Sequence, residues 1–187
     1  MASPAPQAPP RWLTRANGLT GLRLLTAPLL ALAIVREELG LAHALFWFAV
    51  GTDLFDGQVA RRYGEVSPLG GLLDHATDAS FVTIGLVAIA YMGHTPMLLP
   101  PLVMTAFLQY TLDSRALAGQ PLRASLLGRW NGVCYFVLLG IPVVRDGLGI
   151  GWPPVSWTVA IGWLLVATTL VSMGDRLLAL RRSRREA

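Results

Sequence analysis

The 187-residue chain has no lysine, a single cysteine and three histidines, and only 14% of its residues are charged. One cysteine excludes a disulfide framework and a thiolate metal cluster. Cys134 itself, in the apolar stretch Val133 to Leu139, reads as a small core residue. So little charge beside 53% apolar residues and a mean hydropathy of +0.53 excludes intrinsic disorder and fits a soluble globular domain poorly. The composition is that of an integral membrane protein. A bundle of about six helices at roughly 20 residues per span uses most of this length, which leaves short connections and no second domain.

All fifteen basic residues are arginine, set against eleven acids. In a soluble protein this excess would suggest nucleic acid, but most arginines here flank apolar runs, where they set topology and meet anionic headgroups. A nucleic-acid partner is therefore not expected. Residues 1–10 hold four prolines and read as a disordered tail, residues 11–180 as one membrane domain, and residues 181–187 as a basic tail. A secretory signal is rejected: the basic region is too long and Pro28 interrupts the apolar stretch Leu24 to Leu30.

Six apolar stretches follow, Leu24 to Val35, Leu39 to Thr52, Ala79 to Met92, Met97 to Leu112, Trp130 to Val144 and Val155 to Met173. Only the last approaches the roughly 20 residues that cross a bilayer core unaided, so polar residues must complete the others at one end. Thirteen arginines fall on one side of this layout, leaving Arg36 and Arg145 on the other. The expected fold is an all-α, multi-pass bundle with both termini in the cytoplasm, by the excess of positive charge on that side.

The chemistry is concentrated between Asp53 and Asp78. With helix 2 entering near Leu39 and rising 1.5 Å per residue, Asp53 lies roughly 21 Å along a hydrocarbon path of about 30 Å. An ionised carboxylate at that depth costs at least a few kcal/mol unless paired or ligating a cation, and Asp56 repeats the demand one turn later. Asp74 and Asp78, at i and i+4, add two more on one face of helix 3. Arg61 and Arg62 are too few to neutralise four acids. Oxygen-only ligands point to a hard divalent ion, Mg2+ or Mn2+, rather than zinc, and such ions usually hold phosphate. A pair of them can clamp both the attacking and the leaving oxygens of a displacement at phosphorus. His75 reads as a headgroup-facing residue and not as a ligand. Gly57 and Ala60 let a flat nucleotide or a phosphate approach the backbone, and Arg61 is placed to bind a phosphate oxygen. Intramembrane acids also serve cation or proton transporters, the competing class. Such a pathway needs polar residues continuing to the far side, and helices 2 and 3 offer chiefly His43 and Thr83.

The spacing Asp53-x2-Asp56-Gly57-x2-Ala60-Arg61-x8-Gly70-x3-Asp74-x3-Asp78 resembles the signature of the CDP-alcohol phosphatidyltransferase family at every fixed position. Upstream, Asn17-x-Leu19-Thr20-x2-Arg23-x4-Pro28 resembles the same family's entry into its first helix. The resemblance implies transfer of a phosphatidyl group from a CDP-linked lipid such as CDP-diacylglycerol to an alcohol, with release of CMP, in phospholipid biosynthesis. It implies that Asp53, Asp56 and Asp74 bind metal and that Asp78 contributes to a second metal and acts as the base. It further implies that Asn17, Thr20, Gly57, Ala60, Arg61, Ser67 and Gly70 line the CDP-lipid site, that the protein is a homodimer, and that the site faces the cytoplasm of a bacterial membrane.

The acceptor is less legible. The glycerophosphate-using branch favours a proline after the third aspartate and a lysine after the fourth, where this chain has His75 and Ala79. The inositol-phosphate branch favours a helix-4 motif other than Tyr110 to Arg115. Glycerol 3-phosphate is the expected acceptor, with Arg115, Arg123 and Arg129 as a guanidinium cluster for its phosphate.

Overall fold

A computed structural model of the chain describes residues 15–63, 68–113 and 126–183, with side chains described for 18, 20–55, 70–112 and 126–178. Six helices make up this part: α1 (Arg15–Val35), α2 (Leu39–Tyr63), α3 (Pro68–Tyr91), α4 (Leu99–Asp113), α5 (Leu126–Gly147) and α6 (Val155–Ser183). No strand occurs among the described residues. Each helix contains most or all of one apolar stretch, and α1, α2 and α3 extend past theirs into polar sequence, all at one end of the bundle. Gly70–Tyr91, Leu126–Gly147 and Val155–Leu178 are long and apolar enough to cross a membrane by themselves.

Large apolar side chains cover the exterior as well as filling the core around Phe81, Leu86 and Leu138, and the interior adds small and polar residues. Leu25, Leu29, Leu54, Phe55, Trp163 and Leu164 face outward, while Thr158, Thr169 and Asn131 are buried. Four buried threonines satisfy themselves locally: Thr26, Thr52, Thr158 and Thr169 donate to carbonyls three or four residues back in their own helices. Tyr135 and Thr169 share a hydrogen bond of 2.5 Å between α5 and α6, and Gln109 donates to the Met173 carbonyl at 3.1 Å between α4 and α6.

Pro28 does not interrupt the first helix, because α1 runs through it as α5 runs through Pro142. Pro28 lies on the exposed face of α1, while the opposite face is packed against α2 and α3. Two glycines set the approach of α5 to α2. A Cβ at Gly140 would come within 2.7 Å of the Phe46 ring, and one at Gly147 within 2.7 Å of His43. Both exceed the closest packing a side chain permits, so two α2 side chains seat on bare α5 backbone.

At the end of the bundle away from the aspartates, Arg145 is buried in the last turn of α5 and not in a loop as its flanking position suggests. Its guanidinium pairs with Asp146 at 2.5 and 2.9 Å and donates to the Pro153 carbonyl at 3.1 Å. The charge is thereby paired, and the connection from α5 to α6 is tied to α5.

Candidate functional site

The polar end of α2 is helical past Thr52, so Asp53 is held on a regular backbone, and Asp74 and Asp78 sit one turn apart on the facing polar end of α3. One carboxylate oxygen from each of Asp53, Asp74 and Asp78 lies within 4.8 Å of the others. All three are partly exposed, so the cluster opens outward. Asp56 lies one turn further along α2, with its side chain outside the described residues.

The cation that meets these carboxylates comes from α1. Arg23 is 1% exposed, and its Nη1 lies 3.0 Å from Asp53 Oδ1 and 3.2 Å from Asp74 Oδ1, and also contacts Asp78 Oδ1. Counting Arg23 among the arginines that only flank helix 1 is therefore incorrect: it lies eight residues inside α1, between Leu22 and Leu24. An arginine embedded among leucines is itself a sign of a partner in the bundle interior. Three carboxylates against one guanidinium leave a formal charge of −2 among the described side chains, which one divalent cation would match. An all-oxygen donor set with residual negative charge suits a hard ion such as Mg2+ or Mn2+.

A cavity of about 720 Å3 opens beside the aspartates among α2, α3, α4, α5 and α6. Asp53 and Asp78 line it together with Arg129 of α5 and Arg176 of α6. The Arg176 guanidinium carbon stands 4.7 Å from the centre of the Tyr110 ring, within the range of a cation–π contact. Apolar side chains, among them Val82, Val103, Phe107 and Phe136, cover the remaining wall. His75 is exposed at the rim of the cavity, with its Nδ1 hydrogen-bonded to the Gly71 carbonyl at 2.9 Å and its ring centre 6.5 Å from that of Tyr110.

The expected site residues thus divide into those brought together and those beyond description. Asp53, Asp74, Asp78 and Arg129 share the site or its cavity. Thr20 is buried on α1 one turn before Arg23, and Gly70 lies in the first turn of α3. The side chains of Asn17, Asp56, Ala60 and Arg61, the surroundings of Gly57, and all of Ser67, Arg115 and Arg123 lie outside the described residues. So does the 1–10 tail, and the side chains of the 181–187 tail do as well. Sequence reasoning missed Arg176 and Tyr110. In sequence Arg176 is one of thirteen arginines on the side of the termini, and only its place on the cavity wall singles it out.

Comparison with known proteins agrees with this geometry. A model of the CDP-alcohol phosphatidyltransferase family matches residues 13–171. A CDP-diacylglycerol–glycerol-3-phosphate 3-phosphatidyltransferase of Cereibacter sphaeroides is 32% identical over 154 residues, 75% of this chain and 70% of that protein. A cardiolipin synthase (CMP-forming) of Streptomyces coelicolor is 28% identical over 173 residues, 82% of this chain and 79% of the other. A probable phosphatidylglycerophosphate synthase of Mycobacterium tuberculosis is 32% identical over 103 residues, but the match covers only 52% of this chain and 49% of that protein. The transporter reading therefore gives way to an enzyme, and with three carboxylates gathered at one end of a helical membrane bundle the chain belongs to the CDP-alcohol phosphatidyltransferase family.

Proposed function

We propose that the protein transfers the phosphatidyl group of CDP-diacylglycerol to glycerol 3-phosphate and releases CMP, as a homodimer in a bacterial cytoplasmic membrane with its site open to the cytoplasm. The observation that carries this reading is the cavity that joins Asp53 and Asp78 to Arg129 and Arg176, so that an anionic reaction centre borders a cationic pocket. A guanidinium pair suits an acceptor bearing its own phosphate, since arginine holds phosphate oxygens in bidentate fashion.

Asp53, Asp56, Asp74 and Asp78 are the residues that would hold two divalent ions, Mg2+ or Mn2+, whose charge would neutralise the pyrophosphate of the donor. Asn17, Thr20, Gly57, Ala60, Arg61, Ser67 and Gly70 are the matching positions for the CDP-lipid. The Asp78 carboxylate takes the proton of the acceptor hydroxyl, and the acceptor oxygen forms a bond to the phosphorus that carries diacylglycerol. The bond from that phosphorus to the bridging oxygen breaks, and CMP leaves with the electron pair. Positioning and charge neutralisation supply most of the rate in such a displacement.

The mainly apolar wall of the cavity supports a second acceptor, phosphatidylglycerol, which would make the product cardiolipin. The relative from Streptomyces carries that name. Purified protein given CDP-diacylglycerol and Mn2+ is expected to release CMP with glycerol 3-phosphate and to form phosphatidylglycerophosphate. Release with phosphatidylglycerol alone would replace the first reading by the second. No release with either would refute both.

A further inference from the structure

Nη1 of Arg23 gathers an oxygen from each of Asp53, Asp74 and Asp78, residues of two different helices. Convergence of three carboxylate oxygens on one atom is the surrounding expected of a compact cation, so this nitrogen stands where a metal ion would be ligated. The side chain is almost wholly enclosed, and α1 packs along both helices that supply the acids.

We propose that Arg23 is a tethered counter-ion: it holds the cation position of the aspartate cluster in the metal-free protein, and a divalent ion loads by displacing it. The proposal rests on the reading of these aspartates as metal ligands. It follows from charge and geometry together. Carboxylates this close repel one another, and a cation between them relieves that repulsion at the facing polar ends of α2 and α3. Arg23 supplies that charge from within the fold, so the bundle assembles before metal arrives. The consequence is competition, because a site closed by its own arginine for most of the time binds metal with an apparent affinity reduced by the fraction open.

The test measures Mn2+ binding to the purified full chain in detergent micelles, from the electron paramagnetic resonance signal of free Mn2+. Wild type is compared with R23Q, R23K and D74N. Removal of the competitor in R23Q is expected to tighten binding by about tenfold or more, the factor for a site that is open a tenth of the time. R23K keeps the charge on a side chain shorter by one bond and should fall between R23Q and wild type. If R23Q does not fold, R23K decides alone, with tighter binding than wild type supporting the proposal. Binding to the variants that equals or falls below that of wild type would overturn it, because a merely positioning arginine loosens the site when removed. Should wild type show no Mn2+ binding that D74N abolishes, the aspartates are not the metal site, and the proposal falls together with that reading.

Discussion

Replacing Arg176 by glutamine tests the cationic side of the cavity most directly, because this residue is placed by an observed contact. The guanidinium lies over the Tyr110 ring on the cavity wall, and its partly buried position limits solvent screening. A charged hydrogen bond contributes about 1.5–3 kcal/mol, so losing one to an acceptor phosphate raises KM for glycerol 3-phosphate by about tenfold to a hundredfold. Arg129 lines the same cavity but is exposed, and screening should hold the effect of R129Q to about tenfold or less. Y110F keeps the ring and should be close to neutral. Y110L removes a cation–π contact of about 0.5–1 kcal/mol and should raise KM by roughly twofold to fivefold. The assay is CMP release in mixed micelles at fixed ionic strength, with each substrate varied while the other is saturating. In all four variants KM for CDP-diacylglycerol should stay near the wild-type value, because the lost contact is made to the acceptor alone. A change confined to the CDP-lipid KM, or full activity with an uncharged alcohol, would refute the phosphate pocket.

Three further outcomes are expected. D53N or D74N should lower the rate of CMP release by at least about 10²-fold at saturating Mn2+, the scale of a lost transition-state interaction, and near-normal turnover in either would exclude that residue from the reaction centre. A reporter that is active only outside the cytoplasm should be silent when fused after Ala187, as the thirteen-to-two arginine asymmetry predicts, and activity there would refute the cytoplasmic C-terminus. In the turn between α3 and α4, burial and the neighbouring Arg145 hold the His94 imidazole below its usual pKa, against the opposing pull of Asp146. The unfolded chain therefore binds the extra proton first, so this contribution to stability is complete above about pH 6.5 and is lost as pH falls toward the folded-state value. H94Q should flatten that part of the profile in thermal unfolding followed across pH, and an unchanged slope would count against the assignment.

Much of this site is written locally in the sequence, and what is not depends on packing. The spacing of Asp53, Asp74 and Asp78 is set by helical periodicity and the short stretch of sequence between α2 and α3, which is why their convergence follows from the sequence. The same holds for the polar helix ends, since bilayer thickness requires α1, α2 and α3 to extend past their apolar stretches. Arg23 and Arg145 read as topology signals because charge alone carries no information about which way a helix face turns. Only the packing of α1 on α2 and α3 sets Arg23 among the acids, and only the return of the chain at Pro153 gives Arg145 its carbonyl partner. Arg176 was obscured in the same way by its basic neighbours.

The seating of Phe46 and His43 on Gly140 and Gly147 bears on where the reaction sits relative to the lipid. Gly140 and Gly147 are seven residues apart on α5, two turns along the same face, so α2 is indexed against α5 at two points and can neither slide nor roll. Asp53 follows Phe46 by seven residues, about 10.5 Å further along α2. The depth of the carboxylate below the membrane surface is thus measured from a protein joint in the middle of the bundle and not from the headgroups. Thinning or thickening the bilayer will tilt or strain the exterior of the bundle while leaving the carboxylates in register with one another. The aspartate cluster keeps its own datum within the bundle.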